Sequence, residues 1–250
     1  MARTGDAGAL GRRRQLSDEV AAYVRDLIMS GQVRHGEFLR LERVAEDLGV
    51  SVTPVREALL SLRGEGFVVL EPRRGFMPAP LSRQDVRDLF DAQAHFAGEL
   101  AARAAARITP AELAELERTQ ARLEAAARTR DADAIEEANH HFHRVVNLAA
   151  ASPKTAWLLR LVARYAPRRF YSAVHGWPEA SVDDHHLVLA ALRTGDADAA
   201  RQAMRNHIRH AGTLLVVHLE ARGFWDEARD GAAPADGTPD GGAPGGGAPD

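Results

Sequence analysis

Eleven histidines and no cysteine set the chemistry open to this chain of 250 residues. Seven of the histidines fall in three short stretches: Asn139-His140-His141-Phe142-His143, His185-His186, and Asn206-His207 with His210. Imidazole is the commonest metal ligand and the side chain most easily switched near neutral pH. Positions 139 and 143 are one helical turn apart and share a face. With no thiol, disulfides, cysteine nucleophiles, iron–sulfur clusters and thiolate zinc sites are excluded. Glu137-x-x-His140 and Asp183-x-x-His186 superficially match the spacing of a carboxylate-bridged di-iron centre. Such a centre also needs two Glu-x-x-His motifs and two further inward Glu residues. No H-E-x-x-H occurs either. A metal-dependent bundle enzyme is therefore the weaker alternative.

A second constellation is basic. Arg56 sits four residues before Leu60 in a helical pattern, Arg73-Arg74-Gly75 forms a turn, and Arg12–Arg14 lies near the start. The net charge is only −3. Residues 1–80 hold 12 Arg against 11 Asp plus Glu, and the rest is acidic by four. Charge alone therefore does not announce nucleic acid. Of the 32 basic residues 31 are Arg, a bias that fits a GC-rich genome rather than a function. No apolar run is long enough to span a membrane, and the first residues lack the apolar core of a secretory signal. These features predict a cytoplasmic protein with no membrane partner.

The elements that must position these residues divide near Pro78–Leu81. Residues 1–15 read as a flexible arm. Ser17 is placed to cap a first helix carrying Val20, Val24, Leu27 and Ile28 on one face. A short helix over Leu41–Leu48 ends at Gly49. Ser51 or Thr53 caps a third, with Pro54 in its first turn. The segments FVVLEP and RRGFMP read as two strands joined at Pro72–Gly75. Beyond residue 81 only long amphipathic helices follow, to about residue 225. Ser82-x-x-Asp85 and Thr109-Pro110-Ala111-Glu112 open two of them as capping boxes. Others cover about Ala132–Ala149, Pro153–Ser172, Val182–Arg193 and Ala197–Arg222. Residues 226–250, rich in Gly, Pro, Ala and Asp, read as a disordered tail. The fold expected is mostly α: a winged helix–turn–helix at 16–80 and an all-α helical bundle at 81–225.

The stretch GEFLRLERVAEDLGVSVTPVREALLSLRGEGFVVLEPRRGF resembles the DNA-binding domain of GntR-family transcriptional regulators. LGVS, TPVREAL, EGFV and PRRG carry the match across about 65 residues. The resemblance implies that the third helix enters the major groove. Arg56 then reads guanine, and Ser51 and Thr53 meet a phosphate or base edge. Arg73, Arg74 and Gly75 lie along the backbone or minor groove, and Arg12–Arg14 adds sequence-independent affinity. The alternatives are an ordinary surface pair of Arg56 with Glu57 or Glu65, a capping Thr53, and a solvated turn at Arg73–Arg74. Val52 departs from the Arg common in the family. Glu42 departs likewise, with Arg43 as the neighbouring substitute.

The histidine-bearing half resembles the FCD ligand-binding domain of the FadR-like subfamily. HHLVLAALRTGDADAARQAMRNH keeps its pattern, which selects His185 and His207. FHR selects His143 and puts Asn139 where the family has Asp. The resemblance implies a divalent ion on Asn139, His143, His185 and His207, with an open position for water or an effector carboxylate. Zinc suits three imidazoles best, with nickel or manganese as alternatives. Asn139 weakens that site by one negative charge. His140, His141, His186 and His210 are expected around the site or on the surface. Gln93 and Ala97 replace an Arg and a Glu of the subfamily. Gln93, Arg160 and Arg164, with Tyr165, are the candidates to contact the effector.

The resemblance implies a homodimeric regulator, read as a repressor, on a pseudo-palindromic operator. Its effector is expected to be a small organic acid. A metal sensor, with the ion itself as signal, is the alternative.

Overall fold

The computed structural model describes residues 5–165, 172 and 174–225, with side chains from residue 15 onward. The first helix, α1 (Gly5–Met29), begins twelve residues before Ser17, its expected cap. Ser17 lies inside it rather than at its cap. Ala7, Ala9, Leu10 and Arg12–Arg14 are good helix formers, and they carry the helix through the expected arm. The expected tail at 226–250 lies outside the described residues.

Next come α2 (Leu41–Leu48), α3 (Val52–Gly64) and an antiparallel pair, β1 (Val68–Glu71) and β2 (Gly75–Pro78). Gly49 ends α2 at φ 64°, in the left-handed region that glycine adopts without a steric cost. A bridge between Leu39 and Phe76 ties the approach to α2 onto the hairpin. Val20, Val24, Ile28, Val55, Leu59, Leu62, Phe67 and Phe76 form the buried core. These elements make the winged helix–turn–helix.

The second half holds α4 (Arg83–Ala105), α5 (Pro110–Thr129), α6 (Ala132–Ala149), α7 (Pro153–Val162), α8 (Trp177–Thr194) and α9 (Ala197–Ala221). Both capping boxes form. Ser82 exchanges bonds with Asp85, and Thr109 does so with Glu112. Helix α7 is shorter than expected and passes into a 3₁₀ turn over Ala163–Tyr165. Ala166-Pro167 follows in sequence, and a residue before proline is disfavoured in a helix. Helix α8 starts earlier than expected, at Trp177 after Gly176.

Helices α4 and α9 pack along each other at the centre. Gly98 of α4 lies against Arg201 and Arg205, and Gly212 of α9 against Phe90. Around this pair Leu100, Leu116, Phe142, Val146, Val188, Leu192 and Met204 close a core beside the histidines. No helix of the described residues is long and apolar enough to cross a membrane.

Candidate functional site

Three helices bring the chosen histidines together. His143 comes from α6, His185 from α8 and His207 from α9, and one ligand nitrogen of each lies within 4.8 Å of the others. His185 is fully buried and His207 nearly so. They are turned inward because α6, α8 and α9 each place an apolar stripe on the same core. Phe142 stacks on His185 with ring centroids 3.8 Å apart.

The partners of the rings decide which nitrogens face the centre. Gln120 on α5 donates from Nε2 to the carbonyl of Val182 at 3.0 Å. Its Oε1 is therefore the acceptor for His185 Nδ1, 3.2 Å away. That fixes the Nδ1–H form and leaves a lone pair on Nε2, which is buried and has no partner among the described residues. His207 Nδ1 faces Asp184 Oδ2 at 3.4 Å, and His210 Nδ1 meets the same oxygen at 3.1 Å. The Nε2 atoms of His143 and His207 are 3.2 Å apart. Two bare lone pairs do not approach so closely, so a proton or a cation belongs between them. Burial first, and then the charge of His207, hold His143 and His185 well below the usual histidine pKa. Both rings are thus neutral at neutral pH, the form that binds a metal. Burial raises the Asp184 carboxyl, but bonds from His207 and His210 outweigh it and leave its pKa lowered.

Asn139 is buried one turn before His143, and its Oδ1 has no hydrogen-bond partner among the described residues. A buried carbonyl oxygen without a partner costs free energy. Two such acceptors, one on His185 within the cluster and one a turn before His143, fit a divalent cation. Three nitrogens and one oxygen are a donor set suited to zinc, nickel or manganese. No Asp or Glu joins the three histidines among the described residues.

The other expected residues are distributed unevenly. Gln93 is buried on α4, one turn before Ala97 of the same core, and its Nε2 has no partner among the described residues. Arg160 is exposed on α7. Arg164 is engaged elsewhere: it pairs with Glu65 of the N-terminal half at 2.7 Å. Tyr165 donates to the Glu65 carbonyl at 2.6 Å and stacks on Phe67. Neither Arg164 nor Tyr165 therefore belongs to the histidine site. His141 pairs with Glu115 and His186 with Glu124, both toward the surface. Glu137, His140, Asp183 and His186 are all exposed, so the di-iron spacing does not converge.

Gln120 and Asp184 were missed in the sequence. Gln120 carries a faint signal, as the polar residue between Leu116 and Leu123 on the apolar face of α5.

At the other end, Arg43, Ser51, Thr53, Arg56, Arg73 and Arg74 are all exposed. The Ser51 side chain makes no capping bond, although Ser51 is the N-cap of α3. Arg56 has no ion pair among the described residues, and Glu65 is taken by Arg25 and Arg164. The turn between the strands holds Arg73 at φ 66° and Gly75 at φ 113°. Arg74 lies over the Phe38 ring at 4.5 Å. The start of α3 and the wing thus present exposed Arg56 and Arg73 with no ion pair among the described residues.

Two family models match. One, described as bacterial regulatory proteins of the gntR family, covers residues 16–77. The FCD domain covers residues 88–210. The protein named "Putative L-lactate dehydrogenase operon regulatory protein" of Escherichia coli (strain K12) is 30% identical over 233 residues. That match spans 81% of this chain and 87% of that protein. The transcriptional repressor RspR of the same organism is 26% identical, over 84% of this chain and 93% of its own length. The solved structure of E. coli McbR/YncC superposes with a TM-score of 0.63 at 24% identity, covering 80% of this chain and 96% of that one. These relatives are transcriptional regulators, not enzymes.

Proposed function

The chain belongs to the gntR family of bacterial regulatory proteins and carries an FCD domain, so it is a DNA-binding transcriptional regulator; on that premise we propose how its two halves divide the work. Helix α3 enters the major groove, where Arg56 contacts guanine and Ser51 and Thr53 meet phosphate or base edges. Arg73 and Arg74, with Gly75 allowing close approach, follow the backbone or minor groove, and Arg43 adds a phosphate contact. A homodimer places two such helices on a pseudo-palindromic operator, which it represses. The bundle binds a small organic acid at a divalent ion, best zinc, held by His143, His185 and His207 with Asn139 beside them. Gln93 donates its buried amide to that acid. A relative named for an L-lactate dehydrogenase operon is in keeping with this class of effector. The acid acts by favouring one geometry of the dimer over the other.

The observation that carries this reading is the convergence of three imidazoles, two with their outer nitrogens held by Gln120 and Asp184. The test is metal content per chain, on protein purified without chelator or metal-affinity resin, for the wild type and His185→Ala. About one divalent ion per chain is expected in the wild type and none in the variant. Binding to a duplex selected from a random pool should persist in both. No metal in the wild type after adding Zn²⁺ or Ni²⁺ rejects the site. Loss of DNA binding in a folded His185→Ala rejects the separation of the two halves.

A further inference from the structure

We propose that this chain loads its metal together with an anion, because Asn139 leaves the site without a negative ligand; the inference rests on the metal reading above. The three histidines can ligate a metal only as neutral imidazoles, and Asn139, buried one turn before His143, is a neutral amide. Among the described residues no carboxylate shares the cluster. Asp184 reaches only the outer nitrogen of His207, and it divides that oxygen with His210. A divalent ion placed here keeps nearly its whole charge in a site lined by Phe142, His185 and His207, all buried. Uncompensated charge in such surroundings is costly.

The missing charge must come from the ligand. A small carboxylate on the open position lowers the site's net charge from two to one. Metal and carboxylate then strengthen each other's binding by one shared factor, since coupling is reciprocal. A carboxylate side chain at position 139 would supply that charge from within and remove the need. The ion in this protein is thus part of the sensing event, held more tightly when the acid is present.

The experiment uses full-length protein stripped with EDTA and held in a buffer free of chloride and carboxylates. Zn²⁺ affinity is measured by competition with a chromogenic chelator, with and without acetate, a weak ligand for free zinc. Wild-type affinity should rise about tenfold or more with acetate. Asn139→Asp, nearly isosteric, should bind Zn²⁺ more tightly than wild type without acetate and lose most of the acetate effect. The absorption of Co²⁺-loaded wild type should change on adding acetate, a readout independent of affinity. Equal wild-type Zn²⁺ affinity with and without acetate overturns the proposal and leaves the metal site standing. An acetate effect undiminished in Asn139→Asp overturns the role of Asn139. No Zn²⁺ binding by either protein, folded by circular dichroism, overturns the metal reading itself.

Discussion

Arg56 stands exposed in the first turns of α3 without an ion pair among the described residues. Among the described residues no carboxylate pairs with its guanidinium. Its planar fork matches the O6 and N7 acceptors of guanine. Arg56→Ala should therefore cost about 1–3 kcal/mol at the operator and relax the preference at one base pair. Anisotropy titrations on the selected duplex and its single-base variants measure both. An unchanged affinity would place α3 wrongly on the DNA. The histidine site differs in kind, because each ring there is fixed by a partner. His143, His185 and His207 were legible in the sequence through the resemblance carried by HHLVLAALRTGDADAARQAMRNH and the FHR motif. Gln120 and Asp184 were not, since nothing local links residue 120 to residue 185. Arg164 was misplaced for the same reason, its partner Glu65 being 99 residues away.

At the scale of elements, what was legible depended on how local the signal is. The capping boxes at Ser82 and Thr109 and the stop at Gly49 are settled within four residues, and they form as read. The start of α1 and the end of α7 carry no such mark. There a run of good helix formers, or a proline beyond the end, decides instead. The pairing of α4 with α9 rests on two glycines that periodicity does not flag. A Cβ at Gly212 would lie 2.6 Å from Phe90 Cγ, and Phe90 is buried and cannot retreat. Gly212→Ala gains about 1 kcal/mol of helix propensity. It loses about 1–3 kcal/mol to overpacking. A net loss is expected, lowering Tm by about 2–4 °C per kcal/mol. Thermal unfolding followed by circular dichroism checks this, and a Tm equal to or above wild type would show that α4 and α9 are less tightly apposed.

For the whole molecule, the question is how an event at the histidines reaches α3. Two joints connect the halves. In one, Glu65 at the end of α3 pairs with Arg25 of α1 and Arg164 beyond α7, while Tyr165 bonds its carbonyl and stacks on Phe67. Burial and the charge of Glu65 raise the Tyr165 phenol, so it stays a donor. In the other, Arg34 donates to the Arg222 carbonyl and Arg222 reaches the Ser30 carbonyl. On the bundle side, Ala156 and Leu159 of α7 pack on the core that holds Phe142, the ring stacked on His185. A continuous chain of contacts thus runs from the histidine site through α7 to the end of α3. The measurement that tests its purpose most directly is the Kd of the full chain for its selected duplex, in EDTA and then in saturating Zn²⁺ with acetate. The account predicts a change of about fivefold or more in the wild type, the lower end of typical coupling between sites, and none in His185→Ala. An equal Kd in both conditions, with Zn²⁺ shown to be bound, would contradict the claim that the bundle governs the hold on DNA.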